Sequence, residues 1–201
     1  MKDIFTGKLV RLSAFDPDEM SKAFPRWYLN SEYVRLLNSS ARVMQSPKAA
    51  LKWMEEEVGE MSPASYFFSI RTLADDKLIG ELGLDVFNWS GRDAFVGLGI
   101  GETEYWGKGY GTDVMNVLLR FAFTEINLRR VTLTVFEYNP RAIRSYEKAG
   151  FRHEGRVRQM LNREGRRWDE LFMGILREEW LELNDPTSAG EWNRKEMDKN
   201  L

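Results

Sequence analysis

Along the chain, hydrophobic and polar residues switch repeatedly between a period of two and a period near 3.6. The run KLVRLSAF (8–15) sets Leu9 and Arg11 against Val10 and Leu12, which predicts a first strand. DPDEMSKAFPRWYL follows, with Asp16 placed to cap and Pro17 at the first position of a helix. A second helix is predicted from Ser46, with Pro47 at its first position, through about Val58, ending near Gly59. Three β-rich runs come next, SYFFSIRTL (65–73), KLIGELGLDVF (77–87) and DAFVGLGIG (93–101). The turn-forming ADD and NWSGR separate them, so the three read as an antiparallel meander. From 109 to 126, Val114, Val117, Leu118, Phe121 and Ala122 recur at i, i+3, i+4 spacing, a helix with one apolar face for the sheet. RRVTLTVF (129–136) is a further strand, and PRAIRSYEKAG (140–150) a short helix closed by Gly150. FRHEGRVRQML and RWDELFMGIL form a last strand pair around the turn NREGR.

Composition narrows what this frame can do. With 201 residues, 43% of them hydrophobic, the chain can bury one sizeable core, and one α/β domain over 1–184 is the simplest organisation. Beyond Asn184 the sequence DPTSAGEWNRKEMDKNL turns polar and charged, which predicts a mobile or appended tail over 185–201. A net charge of −2 gives no bulk attraction to nucleic acid or to an anionic membrane, and neither is an expected partner. No apolar run reaches the roughly 18 to 20 residues of a membrane span, and MKDIFTGKLVRL lacks the apolar centre of a secretion signal, so the expected location is cytoplasmic. There is no cysteine, and His153 is the single histidine. Thiolate chemistry is thereby excluded, little room is left for a histidine-centred triad or metal cluster, and no metal is expected. Carboxylates, hydroxyls and backbone amides are left to do the work.

Two stretches carry the candidate chemistry. YWGKGYGTD (105–113) places Gly107, Gly109 and Gly111 at alternate positions just before a helix. The first amides of a helix lack intrahelical partners and sit at its positive end, so bare backbone there suits an anionic group such as a phosphate. The same glycines also suit tight packing alone. The pattern is neither G-x-x-x-x-G-K-[ST] nor G-x-G-x-x-G, and the strands before it form a meander instead of a βαβ unit. About 30 residues later comes the second stretch, NPRAIRSYEKAGF (139–151).

Together these two motifs, after a meander, resemble the GNAT N-acetyltransferases, and the layout from about Lys8 to Leu176 fits that family. Within it, YWGKGYGTD and NPRAIRSYEKAGFRHEGRVR are similar to the branch of ribosomal-protein alanine and spermidine acetyltransferases. The resemblance implies the GNAT acyl-CoA N-acyltransferase fold, an α/β (α+β) arrangement with a mixed central sheet of about seven strands flanked by helices. It implies acetyl-CoA as co-substrate, lying between a fourth and a fifth strand that splay apart. On this chain the paired edge is Leu98, Gly99, Ile100 and Gly101, and the pyrophosphate falls on the amides of Trp106, Gly107, Lys108, Gly109, Tyr110, Gly111 and Thr112. Trp106 stands where the family most often has Gln or Arg. Asn139 matches a cofactor-contacting residue of the family, or simply caps the helix that begins at Pro140. Arg141 and Arg144 are candidates for the 3′-phosphate.

Tyr146 matches the tyrosine that gives a proton to the departing thiolate. An ammonium must lose a proton before it can attack, and Glu81, Asp85 and Glu102 are the candidate bases or amine anchors. Glu81 and Asp85 share one strand face, and Glu102 ends the fourth strand. In this branch Trp27, Tyr28 and Glu32 would line the amine pocket, while Arg163, Arg166 and Arg167 beside Trp168 make either a solvated hairpin or a contact for an acidic partner. The expected acceptor is a small amine or a protein N-terminus, and the expected assembly allows a homodimer. The alternative is a non-catalytic acyl-CoA-binding or adaptor protein on the same fold.

Overall fold

In the computed structural model, which describes residues 3–40, 43–59 and 64–184, the period-two runs all pair into one sheet. Its strands are β1 (Val10–Ala14), β2 (Ser65–Thr72), β3 (Leu78–Asn88), β4 (Asp93–Ile100), β5 (Arg130–Phe136), β6 (Arg152–Arg163) and β7 (Arg166–Leu176). They lie in the order β1-β2-β3-β4-β5-β7-β6. Every neighbouring pair is antiparallel except β4 and β5, which are parallel. The tail expected to be mobile or appended, 185–201, lies outside the described residues.

The helices are α1 (Pro17–Trp27), α2 (Ser31–Leu37), α3 (Pro47–Gly59), α4 (Tyr110–Arg120), α5 (Pro140–Lys148) and α6 (Arg177–Asn184). Local chemistry sets their ends. The Asp16 carboxylate accepts from the amides of Asp18 (3.0 Å) and Glu19 (3.3 Å), and the Asn30 side chain does the same for Glu32 (2.9 Å) and Tyr33 (3.2 Å). Gly150, at φ +100, closes α5 as its position after the helix requires. Residues 109–126, expected as one helix, divide into α4 and a π-helical turn, Phe121–Glu125. α2 and α6 were not foreseen from the pattern.

Alternation along the strands sends Leu82, Leu84, Val96, Leu133 and Leu171 into a core shared with Val114 and Leu118 of α4. A separate cluster joins α1, α2 and α3 through Met20, Phe24, Trp27, Tyr33 and Met54. Near the start of the chain, the buried Asp113 carboxylate accepts from the amides of Lys8 (2.8 Å), Leu9 (2.7 Å) and Val10 (3.1 Å). That contact ties the entry into β1 to the first turn of α4.

Candidate active site

The parallel pair makes the cleft. β4 and β5 hold together only over Asp93–Phe95 and Arg130–Thr132. Beyond that point β4 stays with β3 as far as Ile100, while β5 stays with β7 as far as Phe136, so the two strands part. Gly101 donates its amide to Ile79 O (2.9 Å), facing β3. By the alternation of an antiparallel ladder, Val96, Leu98 and Ile100 turn their amides and carbonyls toward the gap. A cavity of about 490 Å³ fills it.

The glycine loop closes one end of this cavity, and its three glycines do different things. Gly107 (φ +71) and Gly109 (φ +91) are left-handed, and Gly109 caps α4 without any side-chain hydrogen bond. A β-carbon on Gly107 would meet nothing within 4 Å. Gly111 instead serves close packing, since a β-carbon there would lie 3.0 Å from Ser145 Oγ, where α4 meets α5. Phosphate-type bareness and tight packing are thus both present, at different positions.

Of the residues expected to meet the coenzyme, Leu98, Gly99, Ile100 and Trp106 line the cavity, as do Gly107, Gly109, Gly111 and Thr112. Asn139 and Arg144 do too. Lys108 and Tyr110 are absent from the wall: Lys108 is exposed, and the Tyr110 ring packs edge-on against Tyr105 at 4.9 Å. Asn139 caps α5 by accepting from Ala142 N at 3.2 Å. Arg141 lies 4.1 Å from the centre of the Trp106 ring and pairs with Glu32 at 3.0 Å, joining α5 to α2 across the cleft mouth.

Tyr146 reaches the cavity from α5, buried to 8% exposure, and burial pushes its phenol up to about 12. It stays protonated throughout the neutral range. The three candidate carboxylates are not brought together. Glu102 is held by Arg26, by Trp27 Nε1 (2.8 Å) and by Lys77 (3.8 Å), outside the cavity wall. Trp27 in turn is packed so closely that a β-carbon on Gly101 would stand 2.0 Å from its ring. Asp85 is exposed and lies opposite Phe95, beside the last paired residue of β4 and β5. Glu81 lies opposite Gly99 and Ser69, and burial alone raises its carboxyl from 4.5 to about 7.

One residue of the site went unmarked in the sequence. Tyr33, from α2, is 3% exposed, lines the cavity, and has a hydroxyl with no hydrogen-bond partner among the described residues. The basic hairpin is partly engaged within the molecule: Arg166 stacks on Trp168 at 3.9 Å, and Arg163 donates to the carbonyl of Asn38. Among the described residues, no group of three or more His, Asp or Glu could hold a metal ion, and no helix is long and apolar enough to cross a membrane.

The sequence model of the acetyltransferase (GNAT) domain matches residues 10–152. The chain belongs to this family. It is 30% identical over 181 residues to the SPbeta prophage-derived uncharacterized N-acetyltransferase YokL of Bacillus subtilis, covering 90% of this chain and 96% of that protein. It is 33% identical over 112 residues to spermidine N(1)-acetyltransferase of Vibrio cholerae, covering 56% of this chain and 64% of that one. The crystal structure of spermidine N-acetyltransferase from Vibrio cholerae in complex with CoA and spermine superposes with a TM-score of 0.74 at 26% identity, over 86% of this chain and 98% of the other. The protein is therefore an N-acetyltransferase, and acetyl-CoA is the acetyl source of its family.

Proposed function

We propose that the enzyme transfers the acetyl group of acetyl-CoA to the primary amine of a small molecule, by direct attack while both are bound in the β4–β5 cleft. The observation that carries this reading is the parting of β4 from β5, with the free β4 edge, the left-handed glycines and Tyr146 around one cavity. The residues fit the coenzyme. The Leu98 amide and carbonyl and the Ile100 amide offer strand-like pairing to an extended amide chain. The amides from Gly107 to Thr112, at the start of α4, suit the diphosphate, and the exposed Arg144 adds positive charge beside them.

Bound there, acetyl-CoA supplies the thioester carbon: a C–N bond forms as the C–S bond breaks, one proton leaves the amine nitrogen and another reaches sulfur. Tyr146 holds the proton destined for sulfur. Glu81, at about 7, accepts the one leaving nitrogen. A cationic acceptor also suits Glu170, which lines the cavity from β7. The spermidine-acetylating relatives favour a small amine over a protein N-terminus.

The test supplies acetyl-CoA with spermidine, spermine, simple monoamines and peptides bearing a free N-terminus, following thiol release and product mass. Thiol release that depends on a small amine, with one acetyl group gained on nitrogen, is the expected result. Coenzyme binding with no release for any amine would overturn the assignment and leave a binding module.

A further inference from the structure

Two polar groups converge on the space above Gly99. A β-carbon built there would stand 2.6 Å from Tyr33 Oη and 3.5 Å from Glu81 Oε1. Both oxygens lie near one point, yet Tyr33 Oη hydrogen-bonds to nothing among the described residues, Glu81 included. Tyr33 lines the cavity, whereas Glu81 stands one strand behind its wall, opposite Gly99. The missing side chain at Gly99 is what lets the Tyr33 hydroxyl sit against β4, on the same side of the strand as Glu81.

Resting on the acetyltransferase reading above, we infer that Tyr33 and Glu81 together hold the acceptor nitrogen beside Gly99, and that Tyr33 is an acceptor-binding residue of the reaction. The Tyr33 oxygen accepts one N–H of the ammonium. A second N–H points at Glu81, whose carboxylate takes that proton, leaving a neutral amine with its lone pair free. Tyr33 itself keeps its proton, because burial holds its phenol well above the ordinary range. The groups facing Glu81 are Tyr33 from α2, Tyr28 just after α1, and Ser69 across the strand pair. Burial is the one cause of its raised carboxyl, so its titration reports the site without a neighbouring charge of the same cluster.

The experiment compares wild type with Tyr33→Phe and Glu81→Gln, using spermidine or the best acceptor of the panel as the probe. Tyr33→Phe keeps the ring in its cluster beside Trp27 and removes only the oxygen. The amine KM should rise and kcat fall, with kcat/KM lower by about tenfold or more, as for a lost hydrogen bond to a charged group. The acetyl-CoA KM should hold within twofold. Calorimetric binding of the amine to the CoA-bound protein should weaken in parallel, a readout independent of turnover. In wild type kcat/KM should rise with pH through about 7, and Glu81→Gln should abolish that rise. Wild-type turnover that Tyr33→Phe leaves unchanged, or a loss confined to acetyl-CoA binding, would overturn this inference while leaving the acetyltransferase reading intact. Gly99→Ala provides a second approach: its methyl would crowd Tyr33 Oη at 2.6 Å, so amine affinity should again fall. Undiminished amine binding there would overturn the inference.

Discussion

Trp106 donates its indole N–H to the carbonyl oxygen of Ile100 at 2.7 Å, tying the loop before α4 to the free edge of β4. The chain thus has an internal tether at the position where the family most often carries a polar or basic side chain. With Arg141 stacked on the ring, Trp106 also joins the loop to α5. Trp106→Phe keeps the ring and removes the donor. It should raise the acetyl-CoA KM about three- to tenfold, roughly the 1 kcal/mol of one hydrogen bond, with kcat within twofold. Steady-state kinetics at saturating amine checks this; an unchanged KM would show that the tether does not shape the coenzyme site.

Asp113 takes backbone hydrogen bonds from three consecutive residues, Lys8, Leu9 and Val10. Replacing it with Ala orphans those amides in a part-buried place and should cost about 3 kcal/mol of stability. Urea denaturation measures it. Asp113→Asn should recover part of the loss, since one oxygen can still accept.

The elements with long periodic patterns were readable in the sequence, and the turns between them gave the β2-β3-β4 meander and the β6-β7 pair, but not the pairing of β1 with β2 or of β5 with β4 and β7. The splay of β4 and β5 was not, because Val96–Ile100 read as an ordinary strand, and only the resemblance to a family foretold the gap. α2 escaped notice because SEYVRLL spans only seven residues, too few for a helical period to show; the capping Asn30 was the available signal. Tyr33 escaped with it, since its meaning lies in Gly99, far along the chain. The engagement of Glu102 was hidden for the same reason: its partners Arg26 and Trp27 lie some 75 residues earlier in the chain.

Stability against pH should carry the mark of Glu81. Its carboxyl titrates near 7 in the folded protein against an ordinary 4.5, so between those values the folded state holds a proton that the unfolded chain has released. Stability therefore falls as pH rises from about 4.5 to 7, by up to about 3 kcal/mol. Glu81→Gln removes the ionisation, and should be more stable than wild type at pH 8 but not at pH 4. Denaturant midpoints at the two pH values decide it. A variant destabilised at pH 8 but not at pH 4 would mean that the carboxylate is stabilised by partners instead of strained by burial.

The three loop glycines should rank by what each position demands. Gly109→Ala and Gly107→Ala place an L side chain at φ +91 and +71, costing roughly 1–2 kcal/mol and disturbing the amides at the start of α4. Acetyl-CoA affinity should weaken in both. Gly111→Ala is crowded by the Ser145 hydroxyl at 3.0 Å, meets Ile100 Cδ1 and Ser145 Cβ at ordinary contact distance, and gains helix propensity, so its effect on stability should be smaller. Thermal unfolding and coenzyme titration of the three variants test this ranking.

Tyr146→Phe isolates the proton at sulfur. The ring packs within the main core and lies 6.0 Å from Phe151, contacts that Phe preserves, so folding and acetyl-CoA binding should stay near wild type. The hydroxyl makes no hydrogen bond among the described residues and faces the cavity, which leaves it free to meet the departing sulfur. Turnover should fall about 10²-fold, the usual scale for losing one general acid. Because burial holds the phenol at about 12, no loss of rate from its ionisation should appear up to pH 10. An alkyl thiol is more acidic than such a phenol, so the proton should move to sulfur only as the C–S bond breaks and negative charge builds there. That timing can be read from leaving-group acidity. Acetyl thioesters of more acidic thiols should be less affected by the substitution than acetyl-CoA, and equal losses for all of them would show that Tyr146 positions the thioester without donating to it.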